Sequence, residues 1–228
     1  MKILAVETAT EACSAAVLIN GQVIERYQVA PREHNKLILP MVEAVLAEAG
    51  LAVPQLDAIA FGRGPGSFTG VRIAAGVAQG IAFGADLPVV PVSTLAALSL
   101  AAMDETGAVL AYACIDARMG EVYWGVYRKT GEYVELLGEE AVLPAEQVAF
   151  PEESRGVGVG SGWGTYGAVL GVCLGPRVDA VLAERFPRAE VIARLGAAGF
   201  ARGLAVPAER ALPVYLRDKV ARKMRERG

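Results

Sequence analysis

The chain has 228 residues, 54% of them hydrophobic and 21% charged, with a formal net charge of −3. That length suits two small lobes, one of them reduced, better than one simple domain or two full ones. Cys13, Cys114 and Cys173 are isolated and lack a CxxC pair, which excludes a disulfide framework and reads as buried, reduced thiols.

Lys2–Glu7 alternates as a strand directly from the N-terminus, with no apolar leader and cleavage site ahead of it. Cys13–Ile19 is a second strand, and Asn20-Gly21 marks a tight hairpin into a third, Gln22–Val29. From Asn35 to Ala49 the period becomes helical: Ile38, Val42 and Val45 share one row, with Leu37 and Met41 beside it. Pro40 is expected to kink the first turns or move the helix start downstream, and Gly50 to end it. Leu56–Phe61 is a short buried strand, followed by the glycine-rich GRGPGSFTGVR and a helix over Val71–Gly84. The apolar tract that begins inside this helix is interrupted by Gln79, Asp86 and Pro88, so no membrane span is expected. A strand at Val89–Pro91 and a helix over Ser93–Met103 close a first lobe, residues 1–103.

The second lobe, 104–228, opens with strands at Ala108–Ile115 and Glu121–Tyr127 joined through DARMG, then Tyr133–Leu137. Gly156–Gly160 is a glycine-flanked strand, Tyr166–Cys173 a helix, and a returning helix lies near 189–203. The tail from Leu216 to Gly228 carries about +4, leaving about −7 on the body. The body is therefore a poor platform for nucleic acid, and only the tail could touch phosphates. Strand, strand, strand, helix, strand, helix is the first-lobe order of an actin-like, ribonuclease-H-like α/β fold.

The glycine loop meets neither common phosphate motif. Gly64 and Gly70 bracket it without a Walker lysine, and Gly64-x-Gly66 is followed by Thr69 where a dinucleotide fingerprint needs glycine. Two readings stay open: a strand-to-helix connection capped by Ser67 or Thr69, or an anion contact at the helix start. Within the helix, Gly76, Gly80 and Gly84 recur on one face. Mid-helix glycine costs roughly 0.5–1 kcal/mol against alanine, so close approach of another backbone should compensate. That backbone could belong to this chain or to a partner, and the apolar width of the Asn35–Ala49 helix favours the partner.

Catalytic constellations are incomplete. His34 is the single histidine, so no His-based metal pair can form, and no GxSxG elbow accompanies it. It is expected as an exposed loop or partner-contact residue. Glu7 and Asp116 stand near strand ends, where actin-like enzymes keep carboxylates for magnesium-bound nucleotide.

The segments ILAVETATEACSAAV, REHNKLILPMVEAVL, GRGPGSFTGVRIAAGVAQGIA, DARMGEVYWGVY and PVYLRD together resemble the bacterial tRNA threonylcarbamoyladenosine biosynthesis family TsaB, also called YeaZ. The resemblance spans essentially the whole chain and implies an actin-like fold of two lobes, the second truncated. It implies a cytoplasmic scaffold without independent activity or independently bound cofactor. Such a scaffold pairs with a catalytic TsaD-like paralogue through the first-lobe helices, and with itself when alone. With a TsaE-like ATPase, and using ATP and threonylcarbamoyl-adenylate, the complex modifies adenosine in ANN-decoding tRNAs. Carried onto this chain, the pairing surface holds Leu37, Met41, Val45, Ile73, Gly76, Val77, Gly80 and Gly84. Glu7, Gly64, Gly66, Ser67 and Thr69 would lie near an anion or nucleotide. Glu7 stands where many relatives carry Asp, and Asn35, where Ser is common, serves as the helix cap. An actin-like kinase or ATPase and a metallo-glycoprotease remain the alternatives.

Overall fold

The computed structural model describes residues 1–150 and 155–217. All but the first two residues of the basic tail therefore lie outside the described residues.

Two sheets organise the chain. The first holds β1 (Lys2–Glu7), β2 (Ala12–Ile19), β3 (Gln22–Val29), β4 (Ala58–Gly62) and β5 (Val89–Val92), in the order β3-β2-β1-β4-β5. β1 runs antiparallel to β2 and parallel to β4. Asn20 and Gly21 both take positive φ between β2 and β3, as a type I′ hairpin turn requires. The second sheet holds β6 (Leu110–Arg118), β7 (Glu121–Thr130), β8 (Tyr133–Leu136), β10 (Gly156–Val159) and β11 (Val178–Leu182), with β9 (Ala141–Pro144) paired to β7. Its path, β11-β10-β6-β7-β8, repeats the order of the first sheet in reverse.

Helices α1 (His34–Ala49) and α2 (Phe68–Ala85) cover the outer face of the first sheet, and α4 (Ser161–Leu174) covers the outer face of the second. Between the sheets lie α3 (Thr94–Thr106), packed on the second sheet, and α5 (Ala189–Ala201), packed on the first. Each lobe thus sends its last helix to the other sheet. Residue parity along β1 shows why three cores form: Ile3 and Ala5 face the middle layer, while Leu4 and Val6 face α1 and α2, the period-two alternation of a strand buried on both sides. A third core, built on Tyr112, Trp124 and Trp163, lies under α4. Where the first lobe has α1 between its third and fourth strands, the second has β9 and a short 3₁₀ turn. The reduction of the second lobe falls on that helix and leaves the five-strand order intact.

Several sequence expectations are corrected here. α1 starts at His34 and runs through Pro40. The N–H that proline lacks would have met the carbonyl of Lys36, and both residues face solvent, so water can satisfy that carbonyl. The residue at the cap position is Glu33, without a side-chain bond, so Asn35 lies inside the helix and does not cap it. Strands β9 and β11 were not expected. Cys13 and Cys114 are buried, whereas Cys173 is partly exposed. Among the described residues, α2 alone is long and apolar enough to cross a membrane, and a third of it is buried, with Val71, Ala74, Ala75, Ala78 and Ala82 packed inside the protein.

Candidate functional site

Two sites follow from the α2 region: the loop that launches the helix, and the face it presents outward.

The loop is filled by the protein's own backbone. A Cβ on Gly66 would overlap the carbonyl of Ala9, one on Gly70 the carbonyl of Thr8, and one on Gly62 the carboxyl of Glu7. Hydrogen bonds hold the same approach: Ser67 N donates to Ala9 O at 2.7 Å and Thr8 Oγ1 to Gly70 O at 2.7 Å. Gly64 sits at φ +95°, a conformation glycine adopts without strain, and its carbonyl accepts from Thr94 N at 3.0 Å. Ser67 is the α2 cap, accepting from Gly70 N at 3.4 Å. Of the two readings of the loop, the strand-to-helix connection accounts for these contacts.

Glu7, expected near an anion, is fully buried behind the loop. Its Oε1 accepts from Ala9 N at 2.5 Å and its Oε2 from Thr94 Oγ1 at 3.3 Å. Burial raises its carboxyl from 4.5 to about 7, against the lowering pull of those hydrogen bonds. Gly64 is buried too, and Thr69 is exposed in the first turn of α2. Gly66 and Ser67 alone of the expected anion-proximal set line a cleft of about 560 Å³ between the lobes. Thr10, Glu11, His34, Asp116, Arg118 and Ser161 line it as well. The C-terminal segment borders this cleft, tied by Val214 N to Arg63 O at 2.8 Å and by Arg217 to Glu121. His34, expected to be exposed, is buried with Nε2 3.2 Å from the Ala12 carbonyl. Asp116 stands across the cleft and accepts from Arg118 N at 2.8 Å and Arg118 Nη1 at 3.0 Å. Among the described residues no group of three His, Cys, Asp or Glu could hold a metal ion.

The outer face of α2 is the opposite case. Ala74, Ala78 and Ala82 are buried against the sheet, while a Cβ on Gly76, Gly80 or Gly84 would meet nothing within 4 Å. The row thus faces solvent rather than another part of this chain. Leu37, Met41, Ile73 and Val77 are half-buried along the α1–α2 seam. Val45 is corrected: it is fully buried in the outer core of the first lobe and cannot reach a surface. Sequence reasoning missed Phe83, which is 81% exposed on the same face. Its spacing of three from Gly80 and seven from Gly76 was the available signal. It also missed the cluster at the start of α2. Arg72 lies 3.6 Å over the Phe68 ring and donates to the Tyr215 hydroxyl at 2.8 Å, a long-range contact no local pattern carries.

Residues 21–159 match the family model described as TsaD, tRNA N6-adenosine threonylcarbamoyltransferase. The chain is 43% identical to the tRNA threonylcarbamoyladenosine biosynthesis protein TsaB of Escherichia coli, over 98% of this chain and 97% of that protein. It is 32% identical to the Bacillus subtilis protein of the same name, over 67% of each. Among solved structures, YeaZ from Pseudomonas aeruginosa superposes with a TM-score of 0.89 at 50% identity, covering 94% of this chain and 99% of that one.

Proposed function

Because the chain belongs to the TsaB family, we propose that it acts in tRNA threonylcarbamoyladenosine biosynthesis as a non-catalytic partner subunit. In this reading a TsaD-like paralogue docks on the outer face of α1 and α2, and a TsaE-like ATPase completes the assembly. The complex, using ATP and threonylcarbamoyl-adenylate, transfers the threonylcarbamoyl group to adenosine in ANN-decoding tRNA. When no paralogue is present, the same face pairs two copies of this chain.

The observation that carries the reading is the outward glycine row. Three glycines on a solvent-facing helix give up about 0.5–1 kcal/mol each with no compensating contact inside the chain. A partner helix approaching closely supplies that compensation. Met41 and Phe83 beside the row are of the residue types enriched at interfaces. The filled glycine loop supports the non-catalytic half of the reading, because the carbonyls of Thr8 and Ala9 occupy the space in front of Gly66 and Gly70 and Ser67 N already donates to Ala9 O. Co-purification with the paralogue and the ATPase, followed by a tRNA modification assay with and without this chain, tests it. Modification that proceeds equally well without the chain would overturn it.

The interlobe cleft favours a second reading, an actin-like nucleotide site between Ser67 and Ser161. Binding of labelled ATP to the isolated protein separates the two. Stoichiometric binding lost on Ser161→Trp supports the cleft, and no saturable binding leaves the partner-subunit reading.

A further inference from the structure

Behind the glycine loop lies a polar cluster that the outward face of α2 does not explain. Glu140, between β8 and β9, has a side chain only 6% exposed. Its Oε2 accepts from Arg63 Nη2 at 2.9 Å, and its Oε1 accepts from the hydroxyls of Ser93 and Tyr127. Burial, and then the carboxylate itself, push the Tyr127 hydroxyl well above its ordinary value, so it remains a donor. Ser93 Oγ also accepts from Ala96 N at 3.2 Å as the cap of α3. The main chain of Arg63 is pinned on both sides, its N–H donating to Val92 O of the first lobe at 2.8 Å and its carbonyl accepting from Val214 N of the C-terminal segment at 2.8 Å. One carboxylate from the second lobe therefore joins the glycine loop, the start of α3 and strand β7.

From this cluster we propose that Glu140 is a positioning residue. Through Arg63 it holds the glycine loop, and with it the first lobe, against the second, and so fixes how the second lobe stands beside the α1–α2 face that the partner approaches. The inference rests on the partner-subunit reading and adds a reason for a non-catalytic subunit to keep a second lobe. The loop between Arg63 and Phe68, the first residue of α2, is tied to the first lobe by Ser67 N on Ala9 O at 2.7 Å, so a clamp on Arg63 acts on that lobe as a whole. Among the described residues, Arg188 with Glu25 ties the start of α5 to the sheet it already packs on, and Arg118 with Glu11, 3.6 Å apart across the interlobe cleft, has side chains 74% and 39% exposed. An exposed pair of that kind contributes little and cannot substitute for Glu140.

Removing one member of a buried pair leaves the other charge without a partner, whereas removing both is often nearly neutral for folding. The test therefore pairs Glu140→Gln with the double variant Arg63→Met, Glu140→Gln. Nitroxide labels go on Glu43→Cys in α1 and Val172→Cys in α4, both solvent-facing, in a Cys173→Ser background. Diluted with unlabelled chain, these report the interlobe distance distribution of the isolated protein. Affinity for the TsaD-like paralogue is measured on unlabelled variants well below their melting temperatures.

The expected result is a double variant that melts near wild type, has a broadened distance distribution and binds the paralogue at least about fivefold more weakly. A narrow, unshifted distribution with wild-type affinity overturns the proposal. So does a broadened distribution with wild-type affinity, because the clamp would then not govern docking. If wild-type chain fails to bind the paralogue at all, the partner-subunit reading fails first, and the proposal built on it falls too. A single variant that does not fold leaves the double variant to decide.

Discussion

The glycines of the loop and those of the row lie a few residues apart and do opposite work. At Gly62, Gly66 and Gly70 a Cβ would strike the Glu7 carboxyl or the carbonyls of Ala9 and Thr8. Those glycines are fixed by the inside of the molecule. At Gly76, Gly80 and Gly84 there is nothing within 4 Å for a Cβ to meet. These positions weaken an isolated helix and obtain no packing from the chain. The same residue type in one stretch therefore meets two environments, the packed interior and open solvent.

The largest contrast comes from placing alanine in the loop. Gly70→Ala puts a methyl into the Thr8 carbonyl, which is backbone and cannot swing away. It should cost about 3 kcal/mol or more, the upper end of overpacking, and lower the melting temperature by about 6–12 °C. A melt unchanged within error would show that the loop is not held by this approach.

Next is the carboxyl packed against Gly62. An unfolded Glu7 titrates near 4.5 and the buried one near 7, so below the lower value both forms are protonated and burial costs no ionisation. As pH rises from there to about 7, the unfolded chain releases its proton and the native chain keeps it. Stability therefore falls across that window by about 3 kcal/mol and levels off above it. Glu7→Gln removes the titration and should be more stable than wild type at pH 8 by about 1–3 kcal/mol. Chemical denaturation at pH 5 and pH 8 measures it. A variant with the same pH dependence as wild type would place the titrating group elsewhere.

Much of this architecture was legible in the chain. Lys2–Glu7 and Gln22–Val29 have the bounds expected of them, the second because the Asn20-Gly21 turn fixes where it begins. Asn20-Gly21 and Gly50 ended their elements as turn chemistry requires. Pro40 misled because proline's cost depends on whether the carbonyl it orphans can reach water, which sequence does not state. β9 and β11 escaped because each is short and lies at the sheet's margin, where burial does not alternate: all of β9 is half-buried and the middle of β11 is exposed. That the three glycines share one face followed from their period, but the direction of that face, out to solvent, needed the packing of Ala74, Ala78 and Ala82. The Arg63–Glu140 contact joins residues 77 apart, and no periodicity links them.

The smallest expected effect has the opposite sign to that in the loop. Gly80→Ala adds a methyl in open space and removes the helix penalty of glycine. It should stabilise the isolated chain by about 0.5–1 kcal/mol, or about 1–4 °C in melting temperature. A destabilised Gly80→Ala chain would mean that the row packs against something within the protein.

The measurement that bears most directly on the central claim pairs a melting curve with paralogue binding for Gly80→Leu. Leucine is the better helix former, so a solvent-facing position predicts an intact or slightly raised melt. At a close helix–helix contact the same side chain overpacks, costing about 1–3 kcal/mol, or roughly a five- to hundredfold loss of affinity. The account predicts an unharmed monomer that binds the TsaD-like paralogue poorly. A monomer that melts normally and binds with wild-type affinity would contradict it, and would place the partner away from the outer face of α2.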